Sequence, residues 1–133
     1  MATTKRYYKS QDLRRHVHVS HLPGEDVDHV VELQIVKKAL NDLVDRNFRY
    51  RNDDIKELIH FFNAAPNLQY LDVDVNEKKG EAVGKYLRGG QLEPYEVSYI
   101  RMIKTKWQQD LRSKLNAEGF TDFVSEMNRI LHN

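Results

Sequence analysis

The chain has 133 residues, 40% of them hydrophobic and 31% charged, with a formal net charge of +1. That balance fits one soluble domain with a single core, and excludes a disordered tail or a helical membrane protein. There are no cysteines, so disulfides, thiolate chemistry and Cys-based structural zinc are ruled out. No apolar run approaches the roughly 20 residues that span a bilayer, and the first six residues lack the apolar stretch of a secretory signal. The expectation is an intracellular protein, in cytoplasm or nucleus, without membrane attachment.

Charge is unevenly spread. Lys5, Arg6, Lys9, Arg14 and Arg15 crowd the N-terminal segment, and Lys78, Lys79, Lys85 and Arg88 form a second basic group. Acids gather at residues 25–32 and 53–57. Such a distribution allows a basic face for nucleic acid on a near-neutral protein, and equally the mixed charge of solvated helices.

In chain order, His16-Val-His-Val-Ser-His-Leu22 alternates polar and apolar residues, which predicts a half-buried strand. Pro23-Gly24-Glu25-Asp26 predicts a turn. From Val30 to Val44 the apolar positions Leu33, Val36, Leu40 and Leu43 follow helical spacing, and the acids before them suit a helix N-terminus. Asn52-Asp53-Asp54 reads as the cap of a second helix carrying Ile55, Leu58, Ile59 and Phe62. Pro66 makes 63–67 a loop, and Leu68–Leu71 a short strand. Asp74 and Glu77 resemble a capping box that puts Asn76 in the first turn of a helix, stopped near Arg88 by Gly89-Gly90. Pro94 suits the first position of a long helix with Val97, Ile100, Ile103, Trp107, Leu111 and Leu115 on its apolar face, ending at Gly119. Thr121 then caps a last helix with Val124, Met127 and Leu131. The fold class is α+β and helix-rich: one domain over 1–133, with a core at about 14–90 and a C-terminal helical region at about 93–132.

Two segments carry chemistry: Asp26-Val-Asp28-His29-Val-Val-Glu32-Leu-Gln34 and Asn67-Leu-Gln-Tyr-Leu-Asp-Val-Asp-Val-Asn76-Glu-Lys-Lys79-Gly80. Asp-His, then Asn-Leu, then Asn nine residues on, followed closely by Lys-Gly, resembles the HNH endonuclease family. The same order occurs in the HNH domain of RNA-guided CRISPR effector nucleases. The resemblance implies a ββα-metal centre that hydrolyses phosphodiester bonds in DNA or RNA. It implies His29 as general base, working with Asn67, which holds the His29 side of the site. Asp28 and Asn76 are the implied ligands of a divalent cation, Mg²⁺ or Mn²⁺. Each residue type suits its task. A neutral imidazole accepts a proton from water near neutral pH, and a carboxylate with an amide oxygen is a hard, sparse ligand set.

Lys79, one turn beyond Asn76, is the candidate phosphate contact on the helix. Arg14 and Arg15 are candidates for clamping the scissile phosphate or serve solubility. Glu32 either orients His29 or a metal-bound water, or stabilises a helix start. His16, His18 and His21 read as a solvated strand face rather than zinc ligands, since no third ligand is placed. His60, Trp107, Tyr95 and Tyr99 read as packing residues, and Gly80 and Gly84 as a close helix contact. Asp28 and Asn67 are 39 positions apart, a longer interval than in compact HNH domains. Three readings follow: a metal-dependent nuclease, which includes a small ribonuclease toxin; an HNH-like module that binds nucleic acid or protein without cutting; and a helical interaction protein. The C-terminal helices either complete the core or offer a homodimer surface.

Overall fold

A computed structural model describes residues 7–8 and 25–132 of the chain. The strand expected at 16–22, with its histidines, and the candidates Arg14 and Arg15 lie outside the described residues. The first element is strand β1 (Glu25–His29), followed by α1 (Leu33–Asp45) and α2 (Asn52–Phe62). A 3₁₀ turn (Ala65–Asn67) leads into β2 (Leu68–Asp72), which runs directly into α3 (Val73–Leu87). Helix α4 (Pro94–Lys106), a π-turn (Trp107–Leu111) and α5 (Arg112–Ala117) follow, and α6 (Thr121–Ile130) comes last. The architecture is helix-rich α+β, with one two-stranded antiparallel sheet among the described residues. None of the described helices is long and apolar enough to cross a membrane.

The sheet corrects the second half of the turn expected at 23–26, whose Pro23 and Gly24 lie outside the described residues. Glu25 and Asp26 belong to β1, which pairs with β2 in the register Asp26↔Leu71, Val27↔Tyr70, Asp28↔Gln69 and His29↔Leu68. Aspartate is a poor strand former alone, and here ladder pairing outweighs propensity. Because β1 continues through His29, α1 starts at Leu33 rather than Val30, with Glu32 as its N-cap and no acid in its first turn. The expected capping box at Asp74 is likewise absent. The N-cap is Asp72, and Asn76 is the fourth residue of α3. A capping box does close α4, between Glu93 and Glu96.

Helix ends follow backbone chemistry. Helix α1 stops because Asn47 adopts a left-handed conformation with φ 63°, letting the Phe48 N–H donate to the Leu43 carbonyl at 2.9 Å. Gly119, with φ 93°, plays that part after α5, and the Phe120 N–H donates to Leu115 O at 3.1 Å. The expected single helix from Pro94 carries a π-turn. Trp107, Leu111 and Leu115 are spaced by four, so in a regular helix each would drift by about 40° from its predecessor. The wider turn at 107–111 brings all three into the core, where each is buried.

One apolar cluster joins both halves of the chain. Ile35, Leu40, Leu58 and Phe62 pack with Ile103, Trp107, Phe123 and Met127, as α6 lies against α1 and α4 against α3. The C-terminal helices therefore complete the core. Trp107 lies within it as expected, with its Nε1–H donating to Asn128 Oδ1 at 2.9 Å. Tyr95 does not, being 55% exposed at the start of α4, and Val97 is also exposed. His60, too, is exposed rather than packed. A Cβ at Gly80 would meet open space, so close packing does not explain that glycine.

Candidate active site on a strand–strand–helix unit

The antiparallel pair and the helix after it assemble every described residue of the two chemistry-bearing segments. Asp28 and His29 end β1, Asn67 immediately precedes β2, and Asn76 and Lys79 lie one turn apart on α3, which packs against both strands. Adjacent strand residues point to opposite faces, so Asp28 and His29 reach different surroundings.

Asp28 turns inward and is only 4% exposed. Its Oδ2 accepts a hydrogen bond at 2.8 Å from Nε2 of Gln69, its cross-strand partner. Lys79, fully buried, places its Nζ 3.0 Å from Asp28 Oδ2 and 3.2 Å from Oδ1. The same ammonium donates to the His29 carbonyl at 2.9 Å and to Glu32 Oε2 at 3.1 Å. Glu32 Oε1 in turn accepts from Gln34 Nε2 at 2.7 Å, and Gln34 also donates to Gly80 O at 3.1 Å. One buried cation thus joins β1, the start of α1 and α3.

Lys79 was expected to reach a phosphate; instead it is the internal counter-ion of Asp28 and Glu32. The reason is its place on α3. The helix face that packs on β1 meets a buried carboxylate, and an unpaired buried charge is far more costly than a paired one. Glu32 occupies the N-cap position of α1 without a capping hydrogen bond, and its carboxylate shares that ammonium.

Asn67 is fully buried and its side chain makes three hydrogen bonds, all to backbone. Its Oδ1 accepts from the Val31 N–H at 2.8 Å, and its Nδ2 donates to Val31 O and Phe62 O, each at 3.0 Å. The Asn67 backbone carbonyl also accepts from Val30 N–H at 2.8 Å. Asn67 therefore ties the chain just after His29 to the end of α2. Its amide is spent on backbone, so its effect on the site is to position and not to touch a substrate.

The His29 ring faces the end of α2, where its Nε2 lies 2.6 Å from Asn63 Oδ1. Asn76 is half-buried in the first turn of α3, where free backbone N–H groups and the helix dipole favour an anion. No family model matches this chain, and no curated protein or solved structure does.

The donor chemistry around Asp28 fits a hard cation: two carboxylates and a backbone carbonyl surround one point, and an amide side chain lies on the adjoining helix. Lys79 Nζ holds that point. No group of three or more His, Cys, Asp or Glu side chains suited to a metal occurs among the described residues. A divalent ion at Asp28 would share its carboxylate with Lys79.

Asn63, Gln69 and Gln34 escaped sequence reasoning. Gln69 stands opposite Asp28 only through the β1–β2 register, which pairing distant in sequence creates. An asparagine after a helix carries no such signal, because that is where asparagine commonly ends helices.

Proposed function

We propose that this chain is an HNH-type nuclease that hydrolyses phosphodiester bonds in DNA or RNA. The observation that supports the reading is the strand–strand–helix succession bearing Asp28-His29, Asn67 and Asn76 at its three corners. Segments nearly forty residues apart in sequence meet there, joined by Asn67 clamping Val31 and by Lys79 bridging Asp28 and Glu32.

In this reading His29 removes a proton from the attacking water, a role suited to an imidazole near neutral pH. Asn67 holds the backbone that presents that ring. Asp28 and Asn76 would hold Mg²⁺ or Mn²⁺, which when bound supplies charge neutralisation at the phosphate. The buried Lys79 holds the Asp28 carboxylate in place, while Arg14 and Arg15 are the proposed contacts to substrate phosphate. Cleavage of circular plasmid and of RNA by the purified chain tests the proposal. Activity in Mg²⁺ or Mn²⁺, silenced by EDTA and abolished in His29→Ala, is the expected outcome. Undiminished cleavage by His29→Ala would remove that residue from the mechanism.

A second reading, an HNH-like module that binds nucleic acid without cutting, draws support from Lys79, whose ammonium already fills the carboxylate shell of Asp28. The two part company in one assay. The module binds nucleic acid with the salt dependence of phosphate contacts and leaves the plasmid intact.

A further inference from the structure

We propose that Asn63 is the positioning residue of His29: it locks the imidazole in the Nε2–H tautomer and so presents Nδ1 as the basic nitrogen. This rests on the nuclease reading for its catalytic meaning, and on geometry for its structural content. Asn63 Oδ1 lies 2.6 Å from His29 Nε2, and a carboxamide oxygen only accepts hydrogen bonds. The ring nitrogen facing it must therefore carry the proton. In a neutral imidazole the other nitrogen then holds the lone pair, and no bond among the described residues engages Nδ1.

The other half of the Asn63 amide strengthens the argument. Its Nδ2 is buried and has no partner among the described residues. A buried donor without a partner is costly, and local rules of this kind are typically broken where function requires it. A leucine or alanine after α2 would avoid that cost. What the asparagine supplies in return is one oxygen, aimed at one nitrogen of the candidate base.

Position in the chain adds a third element. Asn63 is the C-cap of α2, four residues before Asn67, whose own amide bonds Phe62 O and Val31. The two asparagines thus fix His29 from two sides. Asn67 holds the backbone just beyond the residue, and Asn63 holds the ring. With both in place the imidazole keeps one rotamer and one tautomer, which is what an outer partner contributes to a catalytic histidine.

The test reads the ring directly and the reaction separately. Ring ¹⁵N–¹H spectra of the full chain, taken where imidazole is neutral and assigned with His29→Gln, should show His29 Nε2 protonated, Nδ1 unprotonated and a persistent Hε2 resonance. Asn63→Ala should lose that resonance to solvent exchange. Asn63→Asp, which keeps an oxygen at the same place, should retain it and serves as the folded comparison should the alanine variant be unstable. In the nuclease assay Asn63→Ala should lower kcat by about 10- to 100-fold, as loss of such partners does, with KM little changed and Asn63→Asp recovering most of the loss.

A wild-type ring protonated on Nδ1, or a His29 spectrum unaltered in Asn63→Ala, overturns the positioning claim. So does wild-type cleavage that Asn63→Ala leaves at full rate. A wild-type chain that cuts nothing, yet shows the locked tautomer and loses it in Asn63→Ala, refutes the nuclease reading and upholds the positioning of the ring.

Discussion

The two halves of this molecule are held together by different means. Around α4, α5 and α6 the interior is mainly apolar: Trp107, Leu111, Leu115, Phe123 and Met127 are all buried, with aromatic rings meeting edge to face, as Phe62 and Phe123 do at 5.9 Å. Its two buried carboxylates, Glu96 and Glu126, pair with the more exposed Lys85 and Arg46. Around β1, β2 and α3 the buried groups include a carboxylate, an ammonium and a carboxamide, each held by hydrogen bonds. The apolar half needs volume filled, and tolerates exchanges that fill it. The polar half needs every partner present, because removing one leaves the others buried and unmatched.

The contrast can be broken or sharpened by substitution. Lys79→Met, nearly isosteric, should destabilise the protein by about 3–5 kcal/mol because Asp28 and Glu32 lose their shared cation. Adding Asp28→Asn and Glu32→Gln to it should restore much of that loss, since neutral groups no longer require a counter-ion. Denaturant unfolding of the single and triple variants checks both. Asn67→Ala should follow, at about 1–3 kcal/mol for each backbone group it leaves dry at Val31 and Phe62, read in the same way. Phe123→Leu, in the apolar half, should cost less than about 1.5 kcal/mol if the core repacks around it. A larger loss there than for Lys79→Met would reverse the comparison.

The smallest expected effect concerns pH. Backbone hydrogen bonding from Glu93, with the ammonium of Lys85 at 2.7 Å, holds the Glu96 carboxyl below its ordinary value. The same pair raises Lys85. Glu96 therefore contributes stability above the ordinary carboxylate pKa and loses it as pH falls through the lowered folded value. Glu96→Gln should flatten the acid limb of a stability profile, with little change near neutrality.

Much of the helical scaffold was legible in the sequence because it rests on local signals. Proline at the start of α4, glycine after α5 and apolar spacing along α1, α2 and α6 all act within a few residues. Strand β1 was not legible: Glu25-Asp-Val-Asp-His29 has the composition of a turn, and only pairing with residues 39 to 47 positions away makes it extended. That one shift moved the start of α1 and turned Glu32 from a first-turn acid into an N-cap. The site residues stood out as a pattern, but their partners did not. Nothing local told that Lys79 would be buried against Asp28, or that Asn63 would face the His29 ring, because both contacts join elements distant in sequence.

The central proposal is that Asp28 and Asn76 hold one divalent cation. Titrating Mn²⁺ into ¹⁵N-labelled protein measures this directly, since the paramagnetic ion broadens amide signals of residues close to it. Early, selective loss of signals around Asp28, His29 and Asn76, prevented by Asp28→Asn, is the predicted result. Broadening centred elsewhere, or a pattern that Asp28→Asn leaves unchanged, would contradict it.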